Sequence, residues 1–320
     1  AHQRRTPREI LDSGVAGGWS VARRIVSNVA DLLSQCLFPP AGSLVNLAVS
    51  GGPDSVGMTL LAVEAGLVAH LHHVDHHVRP RSGQDAELVR RLAADLSLAC
   101  TVHDVVLDGE GNFESRARAA RRGVLPPDAL TGHTMDDLAE TQLLNLMRGA
   151  GLAGLSPMVG DPTKPLLRVR RSELRAYVEA SGRPFAHDES NDDLALKRNA
   201  VRAQLVPVLN DLAERDVVPI LARQAELMAG ERQWLEEVAS PDAAFGLGEL
   251  SCRELATWPV ARLRAWLRPH LTTADMGDGT HPPTAAEVER AIEVIRGECQ
   301  ATELSGGRRL SRHEQFLKLG

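Results

Sequence analysis

The sequence predicts an α/β fold in which a parallel sheet carries helices, followed by a smaller, mostly helical domain. Three observations support this. Short apolar runs alternate with amphipathic stretches at the spacing of strand–helix–strand units. Polar loops at residues 50–55, 75–80 and 131–137 directly follow apolar runs, at the carboxyl ends where open parallel sheets bind ligands. The chain has 320 residues, 43% hydrophobic and 24% charged, which is enough for two domains.

Taken in order, residues 1–20 predict a flexible tail, since Gly14, Gly17 and Gly18 oppose a continuous helix. From Val21 to Leu37, the apolar residues Ile25, Val29, Leu32, Leu33 and Leu37 recur at helical spacing until Pro39-Pro40. Leu44 to Val49 reads as a buried strand, the loop 50–55 follows, and a helix runs to about Ala65. Leu67–Val74 predicts a second strand, 84–99 an amphipathic helix and Cys100–Leu107 a third strand. Asn112–Arg122 is a charged helix, and Leu125–Leu130 leads through Thr131-Gly132-His133 into a long helix reaching Leu146. A Gly- and Pro-rich loop (150–163), a helix (172–181) and a polar turn (186–193) come next. Val201–Met228 reads as mostly helical despite Pro207 and Pro219. Helices near 251–268 and 284–297 precede a β-like tail, Gln300–Leu319, that turns at Gly306-Gly307. The expected divisions are 21–213, a linker helix over 214–239, and 240–320.

Composition removes several classes of function. A formal net charge of -6 rules out a globally basic surface, so contact with nucleic acid must rest on local patches. No run of 18 apolar residues is present, so no membrane span is expected, and the polar, basic N-terminus lacks the apolar core of a secretory signal. Cys36, Cys100, Cys252 and Cys299 are far apart and form no C-x-x-C, which argues for reduced, cytoplasmic thiols rather than disulfides, a zinc ribbon or an iron–sulfur site. Aromatics are 3% of the chain, too few to suggest base-stacking platforms.

Two constellations carry chemistry. The first is Ser50-Gly51-Gly52-Pro53-Asp54-Ser55, between a strand and a helix. Gly51 and Gly52 let a ligand approach the main chain, Pro53 has no N–H to leave unpaired, and Asp54 and Ser55 sit where a helix start attracts anions. Phosphate is the expected guest, although the loop is neither Walker A nor G-x-G-x-x-G. A plain strand-to-helix turn is the alternative. The second is Gly132-His133-Thr134-Met135-Asp136-Asp137-Leu138-Ala139-Glu140-Thr141, which places His133, Asp137 and Glu140 on one helix face. Such carboxylates would hold Mg²⁺ beside bound phosphates, the alternatives being a helix-start charge bias or a zinc site. Of the histidines at 72, 73, 76 and 77, strand alternation prevents convergence, leaving Asp75 and His76 as the expected site members.

With these motifs the chain resembles the N-type ATP pyrophosphatase (PP-loop) superfamily and, within it, the tRNA(Ile)-lysidine synthetases. Beyond the loop at 50–55, the matches are His73-Val74-Asp75-His76, Arg79-Pro80, Glu114 with Ala117-Arg118 and Arg121, and the block at 132–141. They continue with Arg148-Gly149, Gly154-Leu155, Pro165-Leu166-Leu167, Arg171 with Glu173-Leu174 and Tyr177, then Asp188, Ser190-Asn191, Arg198-Asn199, Arg202 and Pro207. Coverage is strong over 44–210 and weak beyond 240, where Gly306-Gly307, Arg308, Arg312 and Leu317 resemble the end of the family's second domain. Two departures are expected to matter: the segment between Arg121 and Thr131 is short for the family, with Arg122 where an aromatic is common, and the sequence to Gly320 does not include the further C-terminal domain that longer family members carry.

The resemblance implies an adenine nucleotide alpha hydrolase-like PP-loop catalytic domain over 21–213 and a tRNA-binding domain over 240–320. It implies a cytoplasmic, AMP-forming ligase that uses ATP and Mg²⁺ to join L-lysine to the wobble cytidine of a tRNA(Ile) with a CAU anticodon. It implies catalytic roles for Asp54, Arg118, His133, Asp137 and Glu140. Nucleotide binding would fall to Ser50, Gly51, Gly52, Pro53, Asp54, Ser55 and Asp75, and Mg²⁺ to Asp54 and Asp137. Glu114, Arg121, Arg171, Arg198, Asn199 and Arg202 would meet the tRNA. Three basic clusters would extend that contact: Lys164, Arg168, Arg170, Arg171 and Arg175; Lys197, Arg198 and Arg202; Arg308, Arg309 and Arg312. The resemblance leaves a homodimer open. The rivals are another PP-loop tRNA-modifying enzyme such as a thiolase, an AMP-forming amide ligase, and a non-catalytic nucleotide- or RNA-binding protein.

Overall fold

In the computed structural model, residues 29–75, 82–105, 113–186, 193–243, 245–275 and 279–320 are described; the predicted tail over 1–20, the start of the helix from Val21, His76, the Arg79-Pro80 pair and most of the turn at 186–193 lie outside them. The chain divides into two compact units, Ala1–Ala229 and Gly230–Gly320.

The first unit is built on four parallel strands: β1 (Leu44–Ala48), β2 (Val68–Asp75), β3 (Ala99–Asp104) and the short β4 (Leu130–Thr131), in the order β3-β2-β1-β4. Alternation along the strands sorts the two sheet faces. Val45, Leu47, Ala69 and Leu71 point into the main core with Met58, Leu61, Val89 and Leu174. The residues between them, Asn46, His70 and His72, fall on the opposite face.

Strand order also fixes where a ligand can sit. The chain proceeds outward from β1 to β2 to β3 and then returns to the other side of β1 as β4. The carboxyl ends of β1 and β4 therefore flank the point where the order reverses, the standard crevice of an open α/β sheet. From it lead α2 (Pro53–Glu64) after β1 and α5 (Met135–Met147) after β4; the intervening and preceding helices are α1 (Val29–Gln35), α3 (Ser82–Asp95) and α4 (Phe113–Val124).

Several boundaries differ from the sequence expectation. The helix predicted over 84–99 ends at Asp95, because Ser97 takes a left-handed conformation and the amides of Ser97 and Leu98 close the turn on Ala94 and Ala93. The loop expected over 150–163 contains one helical turn, α6 (Leu152–Leu155). After α7 (Arg171–Ala180), the stretch over Val201–Met228 is mostly helical as expected, with one break. Helix α8 (Lys197–Ala200) passes through a π-helical segment (Val201–Leu205) into α9 (Val206–Ala213), which stops at left-handed Glu214 before α10 (Val218–Ala243). Pro207 explains the π segment: it cannot donate to a carbonyl four residues back and its ring crowds that carbonyl, a conflict the wider turn relieves.

The second unit has its own core of Leu255, Leu263, Trp266, Leu267, Ile292, Ile295 and Leu310. The helix expected near 251–268 is split at Pro259 into α11 (Cys252–Leu255) and α12 (Val260–Leu271). Helix α13 (Ala285–Arg296) matches the expected 284–297, with Thr284 and Glu287 forming a capping box and Gly297 ending it. The tail forms an antiparallel sheet of Ala301–Glu303, Arg309–His313 and Phe316–Leu319, turning at Gly306-Gly307 as expected, and the pair Thr273–Asp275 and Gly279–His281 adds a small ladder. Among the described residues, no helix is long and apolar enough to cross a membrane.

Candidate active site

The loop after β1 is shaped by its small residues. Gly51 has φ +89°, a left-handed conformation that an L side chain resists, and its carbonyl accepts the Ala186 amide at 2.8 Å. Gly52 caps α2 and Pro53 occupies its first turn, so the remaining first-turn amides open toward the crevice. Ser55 Oγ donates to the Gly52 carbonyl at 2.9 Å and lies 3.3 Å from Ser50 Oγ, which ties the loop to the helix start. Asp54 follows, with one carboxylate oxygen, Oδ1, buried and without a hydrogen-bond partner.

The loop after β4 comes up directly against it. A Cβ on Gly132 would lie 2.8 Å from the Asp54 carbonyl oxygen, so only glycine permits this approach. His133 follows, its Nδ1 2.8 Å from Thr131 Oγ1. Thr134 then caps α5 by a reciprocal box with Asp137, whose Oδ2 accepts from the Thr134 amide and hydroxyl at 2.9 Å each. Asp137 thus faces two ways, one oxygen fixing the helix start and Oδ1 entering the crevice. One turn later Glu140 is 2% exposed.

Asp54, Asp137 and Glu140 converge on a single cation, the Arg171 guanidinium. Nη2 donates to Asp137 Oδ1 at 2.7 Å, Nη1 to Glu140 Oε1 at 2.8 Å and Nε to Asp54 Oδ2 at 3.2 Å. Arg202 is bidentate on Glu140 at 2.8 and 3.2 Å, and Arg198 donates to Thr141 Oγ1 with its Nε 3.4 Å from Glu140. Three acids face three guanidinium groups. Arg198 and Arg202, four apart, reach the same carboxylate across the π segment, a device that often marks functional sites.

This pairing sets the acidities. Burial would raise the Asp137 carboxyl, but Arg171 and the Thr134 amide outweigh it and hold the group below its ordinary range. At Asp54 burial wins: the Arg171 guanidinium offsets it only in part, Asp137 adds repulsion, and the carboxyl titrates above its usual value. Desolvation works against the Arg171 charge, yet Asp137, Glu140 and Asp54 raise its pKa.

The predicted site residues are therefore brought together only in part. The loop 50–55, His133, Asp137, Glu140, Arg171, Arg198 and Arg202 form one cluster. Asp75 is buried at the end of β2, beside β1 in the sheet. Arg121 is exposed in the last turn of α4; Glu114 and Arg118 lie on that helix with side chains outside the described residues. Of the arginines expected to meet tRNA, Arg171, Arg198 and Arg202 are turned onto carboxylates, because buried Asp137 and Glu140 and half-buried Asp54 need cations more than the surface does. Asn199 is 6% exposed and its Nδ2 donates to the Asp193 carbonyl, holding a loop.

The basic cluster at 164–175 is also engaged. Lys164 pairs with Asp161, Arg168 with Glu226, Arg170 with Asp136 and Asp216, and Arg175 with Glu179. Nothing in the sequence linked Asp136 to Arg170 or to the Arg171 amide, which donates to Asp136 at 2.8 Å. The Thr134–Asp137 box was available as a T-x-x-D signature and would have shown that Asp137 is structural as well as chemical.

An orphaned carboxylate oxygen beside a helix start and a glycine cradle suits a nucleotide's phosphates with Mg²⁺, the oxygen donor set being one this ion accepts. Among the described residues, no three His, Cys, Asp or Glu side chains are arranged to hold a metal ion.

Comparison with known proteins gives a consistent picture. The family described as PP-loop domain matches residues 23–209. A tRNA(Ile)-lysidine synthase of Thermus thermophilus is 37% identical over 282 residues, covering 82% of this chain and 54% of the relative. One from Gloeobacter violaceus is 35% identical, covering 77% of this chain and 81% of its own, and one from Thermosynechococcus vestitus is 32% identical over 88% and 87%. The chain thus spans about half the length of the Thermus relative and most of the other two. Among solved structures, a U34-tRNA thiolase from Methanococcus maripaludis with its [4Fe-4S] cluster is similar in fold, with a TM-score of 0.51 at 17% identity over 65% of this chain and 76% of its own.

Proposed function

The chain belongs to the PP-loop family and, within it, to the tRNA(Ile)-lysidine synthases, and from that membership we propose that it ligates lysine to the wobble cytidine of a CAU-anticodon tRNA(Ile) at the expense of ATP. In the first step the cytidine O2 attacks the α-phosphorus of ATP, forming an adenylate at C2 as pyrophosphate leaves. In the second the lysine ε-amine attacks C2, AMP leaves with the C2–O bond electrons, and the amine loses a proton. A tRNA substrate puts this reaction in the cytoplasm.

The observation that carries this reading is the juxtaposition of a phosphate-shaped loop with three carboxylates gathered around one cation. The amides at 51–55 would hold the leaving pyrophosphate. Asp54 and Asp137 would complete Mg²⁺ coordination with phosphate oxygens. Asp75 would face the nucleotide, His133 would orient the adenylate and Arg118 would stabilise charge at the α-phosphate. Asp137 and Glu140 would receive the lysine ammonium, one of them taking its proton before attack. Exposed Arg121 and, seven residues before it on the same helix, Glu114 would contact the tRNA. The inward arginines at 171, 198 and 202 would contribute there only by turning outward.

The thiolase alternative fits less well. Cys36 and Cys100 lie in the first unit and Cys252 and Cys299 in the second, all free. Burial pushes the Cys36 thiol up to about 12, far from thiolate chemistry.

The deciding measurement is incorporation of labelled lysine into unmodified tRNA(Ile) with ATP. The protein should label this tRNA and release AMP, and Asp137→Asn should abolish both product and label. Absence of lysine incorporation alongside modification of another acceptor would overturn the assignment.

A further inference from the structure

Arg171 occupies the place that the amine substrate needs. Its guanidinium uses Asp137 Oδ1 and Glu140 Oε1, while Asp137 Oδ2 is committed to capping α5 and Glu140 Oε2 to Arg202. A lysine ammonium entering between Asp137 and Glu140 would therefore compete directly with Arg171. With three carboxylates already balanced by Arg171, Arg198 and Arg202, it would also leave the cluster with excess positive charge. In the free protein the amine subsite is closed by the chain's own cation.

The same side chain has a second place to go. Its Nε is bound to Asp54, the acid of the phosphate loop, so the guanidinium borders both subsites. Its backbone is anchored at the start of α7 through the Asp136 contact, while the side chain retains 19% of its exposure and already reaches the loop's Asp54 at 3.2 Å. A triphosphate at the loop carries several negative charges, and phosphate oxygens match the guanidinium fork at least as well as carboxylates do. Phosphate would draw Arg171 away from Asp137 and Glu140 and would repel those acids until another cation arrives.

We propose that Arg171 is a resident gate on the amine subsite, released by the nucleotide, so that amine binding follows nucleotide binding. This rests on the functional reading above for the identity of the amine, but the gate itself is a property of the carboxylate cluster. Arg171 is a positioning residue here, acting through the acids it covers and uncovers.

Two binding measurements on the whole protein test it without turnover. Equilibrium dialysis with labelled lysine, with and without an ATP analogue blocked between the α- and β-phosphates, reads the coupling. The native protein should bind lysine roughly tenfold or more tighter with the analogue, within the usual range of coupling between sites. Arg171→Met should bind it equally in both conditions. Independently, Mn²⁺ titration followed by electron paramagnetic resonance, without nucleotide, should show a gain of similar size in Arg171→Met, whose acids are uncovered, and a smaller one in Arg171→Lys, which keeps the charge.

Equal lysine binding by the native protein with and without the analogue overturns the gate, and needs no variant to fold. So does a nucleotide dependence in Arg171→Met matching the native protein, with no gain in Mn²⁺ affinity. If neither protein binds lysine in any condition, the choice of lysine falls, and the gate stands only if the Mn²⁺ gain of Arg171→Met over the native protein disappears once the analogue is bound.

Discussion

At the scale of single residues, Gly132 sets the geometry more tightly than any charged group. The two ligand-facing loops touch where its side chain would be, 2.8 Å from the Asp54 carbonyl and 3.1 Å from the Ser55 amide. Both neighbours are backbone and cannot swing aside. Gly132→Ala should therefore push the start of α5 away from the phosphate loop, costing about 1–3 kcal/mol in urea unfolding. Misplacement of the carboxylates by a fraction of an ångström to an ångström should lower kcat/KM by roughly 10²-fold, read in the lysine-incorporation assay on the folded variant. The identities of Asp54, Asp137 and Glu140 were legible in the sequence because loop chemistry and helix spacing are local. Their partner Arg171 was legible as a residue but not in its role, because the number of buried acids needing a cation appears only when distant elements meet.

At the scale of elements, the polar face of the sheet joins three strands through imidazoles. Asn46 donates from Nδ2 to Asp128 at 3.1 Å, leaving Oδ1 to accept from His72 Nε2 at 3.0 Å. Neutral His72 therefore carries its proton on Nε2, and its Nδ1, 3.0 Å from His103 Nε2, accepts from that ring. His70, held by Thr101, lies tilted with its ring centroid 4.3 Å from that of His72. Burial, then the neighbouring His70 and His103, lower the His72 pKa, with Asp128 acting the other way. Because the unfolded chain takes up this proton first, stability should decline as pH falls below about 6.5. His72→Gln, which can still donate to Asn46, should flatten the melting temperature between pH 5.5 and 7; an unchanged slope would remove His72 as its origin. Strand alternation sends His72 and His73 to opposite faces, where they bond His103 and the Val49 carbonyl, yet it gave no sign of cross-strand hydrogen bonds. The same limit applied to helix ends: Pro39-Pro40 and Gly297 punctuate the chain visibly, whereas the stop at Ser97 and the π segment depend on where the next element must begin.

At the scale of the whole molecule, the two units carry separate cores and separate acid sensitivities. In the second, Glu287 is buried and accepts from Thr284 Nα at 2.8 Å, Thr284 Oγ1 at 2.7 Å and the Ser305 amide, tying α13 to the terminal sheet. Burial would raise this carboxyl, but those donors prevail and bring it to about 2, against an ordinary 4.5. The sign follows directly: the stabilisation is complete above pH 4.5 and is lost as pH falls toward 2. Glu287→Gln should cost about 2 kcal/mol at pH 7 and weaken the acid transition of this unit, followed by fluorescence of buried Trp266. An acid transition identical to that of the native chain would count against Glu287. From the sequence, this unit's helices and β tail were readable from periodicity and turns, while the Glu287 anchor to Ser305 joins segments that no local pattern relates.

The span of chain between the members of the ion cluster has one more consequence. Asp54 and Arg171 are 117 residues apart, and Glu140 and Arg202 are 62 apart. At translation rates of about 5–20 residues per second, the acid of the loop waits roughly 6–23 s on the ribosome for its counter-charge. Strands β1 to β3 have by then been synthesised with their crossovers and can pair, leaving three mutually repelling carboxylates at one end of a nascent sheet. A chain released before Arg171 would keep that repulsion permanently. The carboxylates of the crevice are thus all answered only once the chain has been made past residue 202.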